Sequence, residues 1–317
     1  MLPSLAAIAV ARSRLATVAL RTPLVRLGLP GVTAEIWLKL ENLQPIGSFK
    51  IRGAANAMAR LDAATLARGV LTASAGNMAQ GVAWCARERG VTCTVVAPDT
   101  APAAKLTAIE RLGARVIREP FERWWRTFQD RAYPGVEGTF VHAFDDLDVM
   151  AGNGTIGLEI LEDLPDADAV VIPWGGGGLA SGIGAAIRAV SPGCRLWAAE
   201  CASGAPLASA LAAGEVRNVD YRPSFVDGIG SRAVFPQMLE RAQMLLDGSL
   251  VSSVEEIAEA VRVLAAHNRV IAEGAGAAAL AAALAGKAGG GKVVCVVSGG
   301  NIDGDRLAGI LAGRGAA

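Results

Sequence analysis

Ala169-Val170-Val171-Ile172-Pro173-Trp174-Gly175-Gly176-Gly177-Gly178-Leu179-Ala180-Ser181 is the stretch that decides the fold. It runs from a continuously apolar, β-branched segment through four glycines into residues with helical spacing, which reads as the strand, loop and helix start of an α/β unit. A strand without polar alternation belongs in a parallel sheet covered on both faces. The run Val293-Val294-Cys295-Val296-Val297, within an expected strand over 292–298, has the same character. Working outward, further strands are expected at 36–41, 69–74, 93–97, 115–118, 139–142, 169–174 and 195–200. Between them the spacing predicts helices over 79–89, 103–112, 121–133, 149–164, 179–190, 254–270 and 274–285. Asp99-Thr100-Ala101-Pro102 and Ser252-Ser253-Val254-Glu255-Glu256 read as helix caps. The expected fold class is therefore α/β, with doubly wound sheets.

The 317 residues, 52% of them hydrophobic, can bury a large core and exclude intrinsic disorder. Thirty basic residues balance thirty acidic ones, so the electrostatic footprint of a nucleic-acid or anionic-membrane binder is missing. Cys85, Cys93, Cys194, Cys201 and Cys295 have no CxxC spacing and are expected as reduced, buried thiols of a cytoplasmic protein. The N-terminal MLPSLAAIAVARSR lacks a charge before its apolar run and meets Arg12 and Arg14 too early for a secretory signal. The uncharged stretch 169–187 is long enough to span a bilayer, but Pro173 and the four glycines break it.

Glycines 175–178, after a strand and before a helix, suit a phosphate, because side-chain-free residues let several N–H groups converge on one anion at a helix N-terminus. A tight turn is the plainer reading, although four consecutive glycines cost more backbone entropy than a turn needs. Read as Gly175-x-Gly177-x-x-Ala180, with Glu200 ending the next strand, the segment also satisfies a dinucleotide fingerprint, which keeps a nicotinamide dehydrogenase open. No Gly-Lys-Ser/Thr closes the run, so it is not a Walker loop.

Only five lysines occur, and Lys50 lies in Gly47-Ser48-Phe49-Lys50-Ile51-Arg52-Gly53-Ala54. Most lysines are surface charges, but the apolar neighbours Phe49 and Ile51 argue for burial, which would lower the amine pKa and make it a nucleophile toward an aldehyde. The Ser-Phe-Lys-x-Arg-Gly-Ala string resembles the Schiff-base lysine motif of the pyridoxal-phosphate-dependent threonine dehydratase and serine racemase family. Three further segments resemble that family in order along the chain. These are Ala73-Ser74-Ala75-Gly76-Asn77-Met78, Gly175 to Gly178, and Val297-Ser298-Gly299-Gly300-Asn301.

The resemblance implies a tryptophan-synthase-β-like fold with a large cofactor domain (1–69 and 147–317) and a small inserted domain (70–146). It implies pyridoxal 5'-phosphate as cofactor, linked to Lys50 and held by Phe49, Asn77, Gly175, Gly176, Gly177, Gly178, Leu179 and Ser298. Substrate would rest on Ser74, Ala75, Gly76, Asn77 and Met78. Asn77 would bond the cofactor's ring hydroxyl, while Ser74 and the backbone of Ala75 and Gly76 would clamp a carboxylate. Ser298 would face the pyridine nitrogen, where a neutral hydroxyl favours prompt loss of a β-substituent. Taken alone, Ser74 to Asn77 could be an ordinary N-cap and Ser298 a strand terminator. Asp227-Gly228-Ile229-Gly230 resembles another family loop and equally resembles a turn. His142 and His267 lie in no motif and are expected as packing or surface residues.

The implied activity is dehydration and deamination of a β-hydroxy amino acid: L-threonine to 2-oxobutanoate and ammonia, or L-serine to pyruvate and ammonia. Serine racemase has a hydroxyl where Ala75 stands, and alanine has no proton to give, which points to elimination. Met78 replaces a histidine common in relatives and opens the alternative of a bulkier substrate such as 3-phenylserine. A β-replacement synthase and a non-catalytic amino-acid sensor remain further alternatives. After Glu200, Cys201 to Pro206 bring no second carboxylate, so no metal is expected there. With nineteen residues after Ser298, no regulatory effector domain is expected. A homodimer is implied, with a small-molecule substrate and neither nucleic acid nor membrane as partner.

Overall fold

The chain, as a computed structural model, is described over residues 1–314. Ten strands, β1 (Leu24–Arg26), β2 (Glu35–Lys39), β3 (Val70–Ala73), β4 (Cys93–Pro98), β5 (Arg115–Glu119), β6 (Thr139–Phe140), β7 (Ala169–Pro173), β8 (Arg195–Cys201), β9 (Gly248–Ser252) and β10 (Lys292–Val296), form two sheets. The larger has the order β1-β2-β10-β7-β8-β9 and the smaller β5-β4-β3-β6. All pairings are parallel except β1 with β2.

The helices are α1 (Leu5–Leu15), α2 (Lys50–Ala59), α3 (Ala63–Ala67), α4 (Asn77–Glu88), α5 (Ala103–Arg111), α6 (Phe121–Asp130), α7 (Leu147–Asp163), α8 (Gly178–Val190), α9 (Pro206–Ala213), α10 (Pro236–Leu245), α11 (Val254–Val263), α12 (Gly274–Leu284) and α13 (Gly304–Leu311). Most expected elements are present within a few residues. The helix expected over 254–270 leaves α geometry at Leu264 and runs as a π turn to Asn268. Ser253 and Glu256 form the expected capping box. Asp99 does not cap α5, because Pro102 takes the N-cap position and supplies no side-chain acceptor.

The unbroken apolar strands are explained by burial on both faces. Ala169 and Val171 of β7 pack with α11 and α12, whereas Val170 and Ile172 pack with α7, α8 and α10. Helix α2 leaves the larger sheet and buries Ile51, Ala54, Ala55 and Met58 against Val82, Ala83 and Ala86 of α4. Glycines bring three helices into backbone contact. A Cβ at Gly152 of α7 would collide with the Arg52 carbonyl of α2, and one at Gly182 of α8 with the Met150 carbonyl of α7.

Candidate active site

Lys50 opens α2, with Phe49 at its N-cap. The preceding turn is tied to the end of β10: Phe49 N donates to Ser298 O at 3.0 Å and Gly300 N to Gly47 O at 2.9 Å. Two residues after Lys50 the chain places Arg52, whose guanidinium forks onto Glu41 (2.8 Å from both Nε and Nη2) and reaches Glu159 at 2.6 Å. Lys39, fully buried, donates to the same Glu159 at 2.6 Å and to the Thr22 carbonyl. The motif arginine is thus a girder between α2, β2 and α7 rather than part of the cleft lining.

The Lys50 amine donates to the Ala143 carbonyl at 3.0 Å and lies 5.0 Å from the Phe49 ring centroid. His142 Nδ1 orders that segment by accepting from Phe144 N at 3.2 Å and Asp145 N at 2.8 Å. Burial first, and the charge of Arg131 second, push the imidazole down to about 3, so it is neutral and serves as a fixed acceptor.

Burial also pushes the Lys50 amine down to about 8, only partly opposed by the negative charge of Glu273. At pH 7 such a group is roughly a tenth neutral, against about three parts in ten thousand at the ordinary value, so the supply of free amine rises roughly 300-fold. Capture of an aldehyde by the cofactor-free protein should therefore accelerate as pH rises and level off above about 8. Stopped-flow absorbance from pH 6 to 10.5 measures this; a midpoint at the ordinary lysine value would overturn it.

One cavity of about 700 Å³ takes in Phe49, Lys50, Ser74 to Met78, Gly175 to Leu179 and Ser298, so every site residue expected from sequence meets in a single cleft. It opens at the carboxyl ends of β3, β7 and β10, where open α/β sheets bind ligands. Gly175, Gly176 and Gly177 donate their N–H groups to no acceptor among the described residues. Gly177 has φ +88°, a conformation that favours glycine, and a Cβ at Gly178 would lie 2.7 Å from Phe144 Cα. The loop is therefore a cradle of free donors at the N-terminus of α8. At Ser74 to Met78, which line the cleft, the Gly76 N–H is taken by Ser74 Oγ at 3.2 Å, and the first N–H groups of α4, which begins at Asn77, have no acceptor within their own helix.

Glu273, at the N-cap of α12, was not legible in the sequence, where it precedes an ordinary Gly-Ala-Gly-Ala helix start. It accepts from Asn77 Nδ2 at 2.7 Å, while Asn77 Oδ1 accepts from Asn301 Nδ2 at 2.8 Å. One amide hydrogen of Asn77 is left for the cleft. Burial pushes Glu273 up to about 7, against the hydrogen bond from Asn77. Lys105 and Asp227 form an ion pair that joins the segment after β4 to the loop before α10.

The dinucleotide reading is corrected here. Glu200 is buried, and its oxygens accept from Leu207 N at 2.8 Å, Ala208 N at 2.7 Å and Ser249 Oγ at 2.6 Å. It anchors α9 and is buried away from the cleft lining, where it cannot reach a ribose hydroxyl.

Residues 15–299 match the family profile described as pyridoxal-phosphate dependent enzyme. An L-threonine ammonia-lyase of Thermotoga maritima is 42% identical over 281 residues, covering 85% of this chain and 68% of the relative. A catabolic L-threonine dehydratase of Staphylococcus aureus is 37% identical over 300 residues, covering 92% and 87%. Among solved structures, maize serine racemase superposes with a TM-score of 0.89 at 29% identity, covering 99% of this chain and 98% of that one. A processed threonine deaminase of Solanum lycopersicum gives 0.86 at 30% identity, covering 97% and 92%.

Proposed function

The chain belongs to the pyridoxal-phosphate-dependent enzyme family, and from that premise we propose that this cleft dehydrates and deaminates a β-hydroxy amino acid, L-threonine or L-serine. It is a lyase, with pyridoxal 5'-phosphate as its cofactor. One observation carries the reading. A single low-pKa lysine, a glycine cradle with unpaired N–H groups and a second N–H-rich loop meet in one cavity.

The residues fit the cofactor: the unpaired N–H groups of Gly175 to Gly177 suit its phosphate, Lys50 its aldehyde, Asn77 its ring hydroxyl and Ser298 its pyridine nitrogen. Bound there, it supplies an electron sink that acidifies the α-hydrogen of an attached amino acid. Ser74 and the start of α4 hold the substrate carboxylate. Lys50 would take the α-proton as general base, and the β-hydroxyl would leave as water on receiving a proton from Lys50 or from the phosphate group held at Gly175 to Gly178. Water re-enters when the released enamine hydrolyses, so threonine yields 2-oxobutanoate and ammonia in balance. Ala75 offers no acid on its side of the substrate, which supports elimination over racemisation.

The same reading assigns 1–69 and 147–317 to a large cofactor domain and 70–146 to a small one, each built on one of the two sheets. It also takes the protein as a cytoplasmic homodimer. Among the described residues no helix is long and apolar enough to cross a membrane, and all five thiols are free and buried. Purified protein supplied with pyridoxal phosphate should release 2-oxoacid from L-threonine or L-serine without any second nucleophile. Turnover that begins only when a thiol acceptor is added would replace this reading with β-replacement.

A further inference from the structure

Helix α6 carries Phe121, Trp124, Trp125 and Phe128 at helical spacing, one stripe of four rings. Phe128 is buried and held against His142, with ring centroids 4.4 Å apart. Trp125 stacks on Phe128 at 5.6 Å and meets Phe235 at 5.7 Å, while Phe144 meets Phe128 at 5.5 Å and Phe235 at 5.3 Å. These rings form one continuous wall, and Trp124, Trp125, Phe128, Phe144 and Phe235 all line the cleft. The two indoles stay only half-buried, so they keep area for a ligand that a core tryptophan would have lost. The wall begins beside the reacting amine, since Phe144 directly follows the carbonyl that holds Lys50.

Charge narrows the class further. Lys105 and Asp227 at the cleft pair with each other, and Arg131 and Arg241, neither of which lines it, both bind Asp145. Glu273, the remaining carboxylate of the lining, already accepts from Asn77, so a charged side chain on the substrate would meet rings and no unengaged counter-ion. The methyl of threonine or the hydrogen of serine would leave most of this aromatic surface untouched, whereas an aryl group would find edge and face partners at ordinary ring distances.

We infer that the cleft selects a β-hydroxy amino acid whose β-carbon carries an aromatic ring, a 3-arylserine, and that Trp125, Phe144 and Phe235 are the residues that select it. This rests on the dehydratase reading above and names its substrate class. With cofactor-loaded protein, kcat/KM for DL-threo-3-phenylserine should exceed that for L-threonine by about tenfold or more. In calorimetry, L-phenylalanine, which has no leaving group, should bind several-fold more tightly than L-alanine. Trp125→Ala should lower the phenylserine-to-threonine ratio about tenfold, and Phe235→Leu, on the other side of the wall, should lower it if the first variant does not fold. Threonine turnover with no preference for phenylserine, together with equal binding of the two amino acids, would overturn this inference and leave the dehydratase reading intact. No oxoacid from threonine, serine or phenylserine would overturn both.

Discussion

Lys50→Ala is expected to leave the protein folded, unable to retain pyridoxal phosphate covalently, and slower in oxoacid release by at least about 10⁴-fold. Two roles are lost together. The amine is the buried lysine of the cleft, the other, Lys105, being held in an ion pair with Asp227, and once displaced it is the base beside the α-carbon. Among the described residues its one hydrogen bond is to the Ala143 carbonyl, and no ion pair is broken by its removal, so truncation should move the melting temperature little. Lys50→Arg should be equally inactive, because a guanidinium stays protonated and cannot form the link. The checks are gel filtration followed by an absorbance spectrum, a thermal melt, and 2-oxoacid release. Turnover within tenfold of the parent would end the assignment of this lysine.

Arg52→Met, two residues further on, should produce the opposite pattern of damage. The side chain satisfies Glu41 and Glu159 and also donates to Thr155 and the Leu20 carbonyl, all in a nearly water-free interior. Removing it strands carboxylate charge in the core, which costs about 3–5 kcal/mol when one partner of a buried pair is deleted. In a chain of this size the melting temperature should fall by roughly 10 °C. Arg52→Lys should recover only part of this, since one ammonium cannot fork two carboxylates. Acid should expose the same dependence. Burial pushes the Glu159 carboxyl up, but the hydrogen bonds and charges of Arg52 and Lys39 outweigh it, so its net pKa lies below the ordinary value. Its contribution is therefore present at neutral pH and is lost as pH falls through that depressed value. Far-UV melts at pH 7, and of the parent through a series descending below the ordinary glutamate range, test both statements; a variant that melts within about 2 °C of the parent at pH 7 would show that the network contributes nothing.

Much of this was legible in the chain. Parallel strands buried on both faces leave unbroken apolar runs, and those runs placed β7 and β10 and, with them, the two strand ends that carry the glycine loop and Ser298. What stayed hidden depends on tertiary approach. Helix α2 carries Gly53 in its middle and a buried arginine at its third position, so its local pattern is weak; it forms because α4 and α7 cover it. Three-residue β1 is held by antiparallel pairing with β2, a partner its own sequence does not announce. Glu273 meets Asn77 from 196 residues away, and no spacing rule reaches that far. The aromatic stripe of α6 was visible as helical periodicity, but only the fold shows that it faces a cleft as well as a core. Arg52 is the instructive case. It belongs to the motif that carries the resemblance, yet its work is structural.

The glycine contacts among α2, α7 and α8 act like a gauge block. Lys50 begins one of these helices and the anion cradle begins another, and α7 touches both, main chain to main chain. The span between amine and phosphate position is thus set by the thickness of bare backbone, a dimension that side-chain rearrangement cannot alter. Any breathing of the cleft is then left to the smaller sheet and α6, which stand outside those contacts. Substrate entry and exit can widen the mouth without detuning the chemistry at its floor.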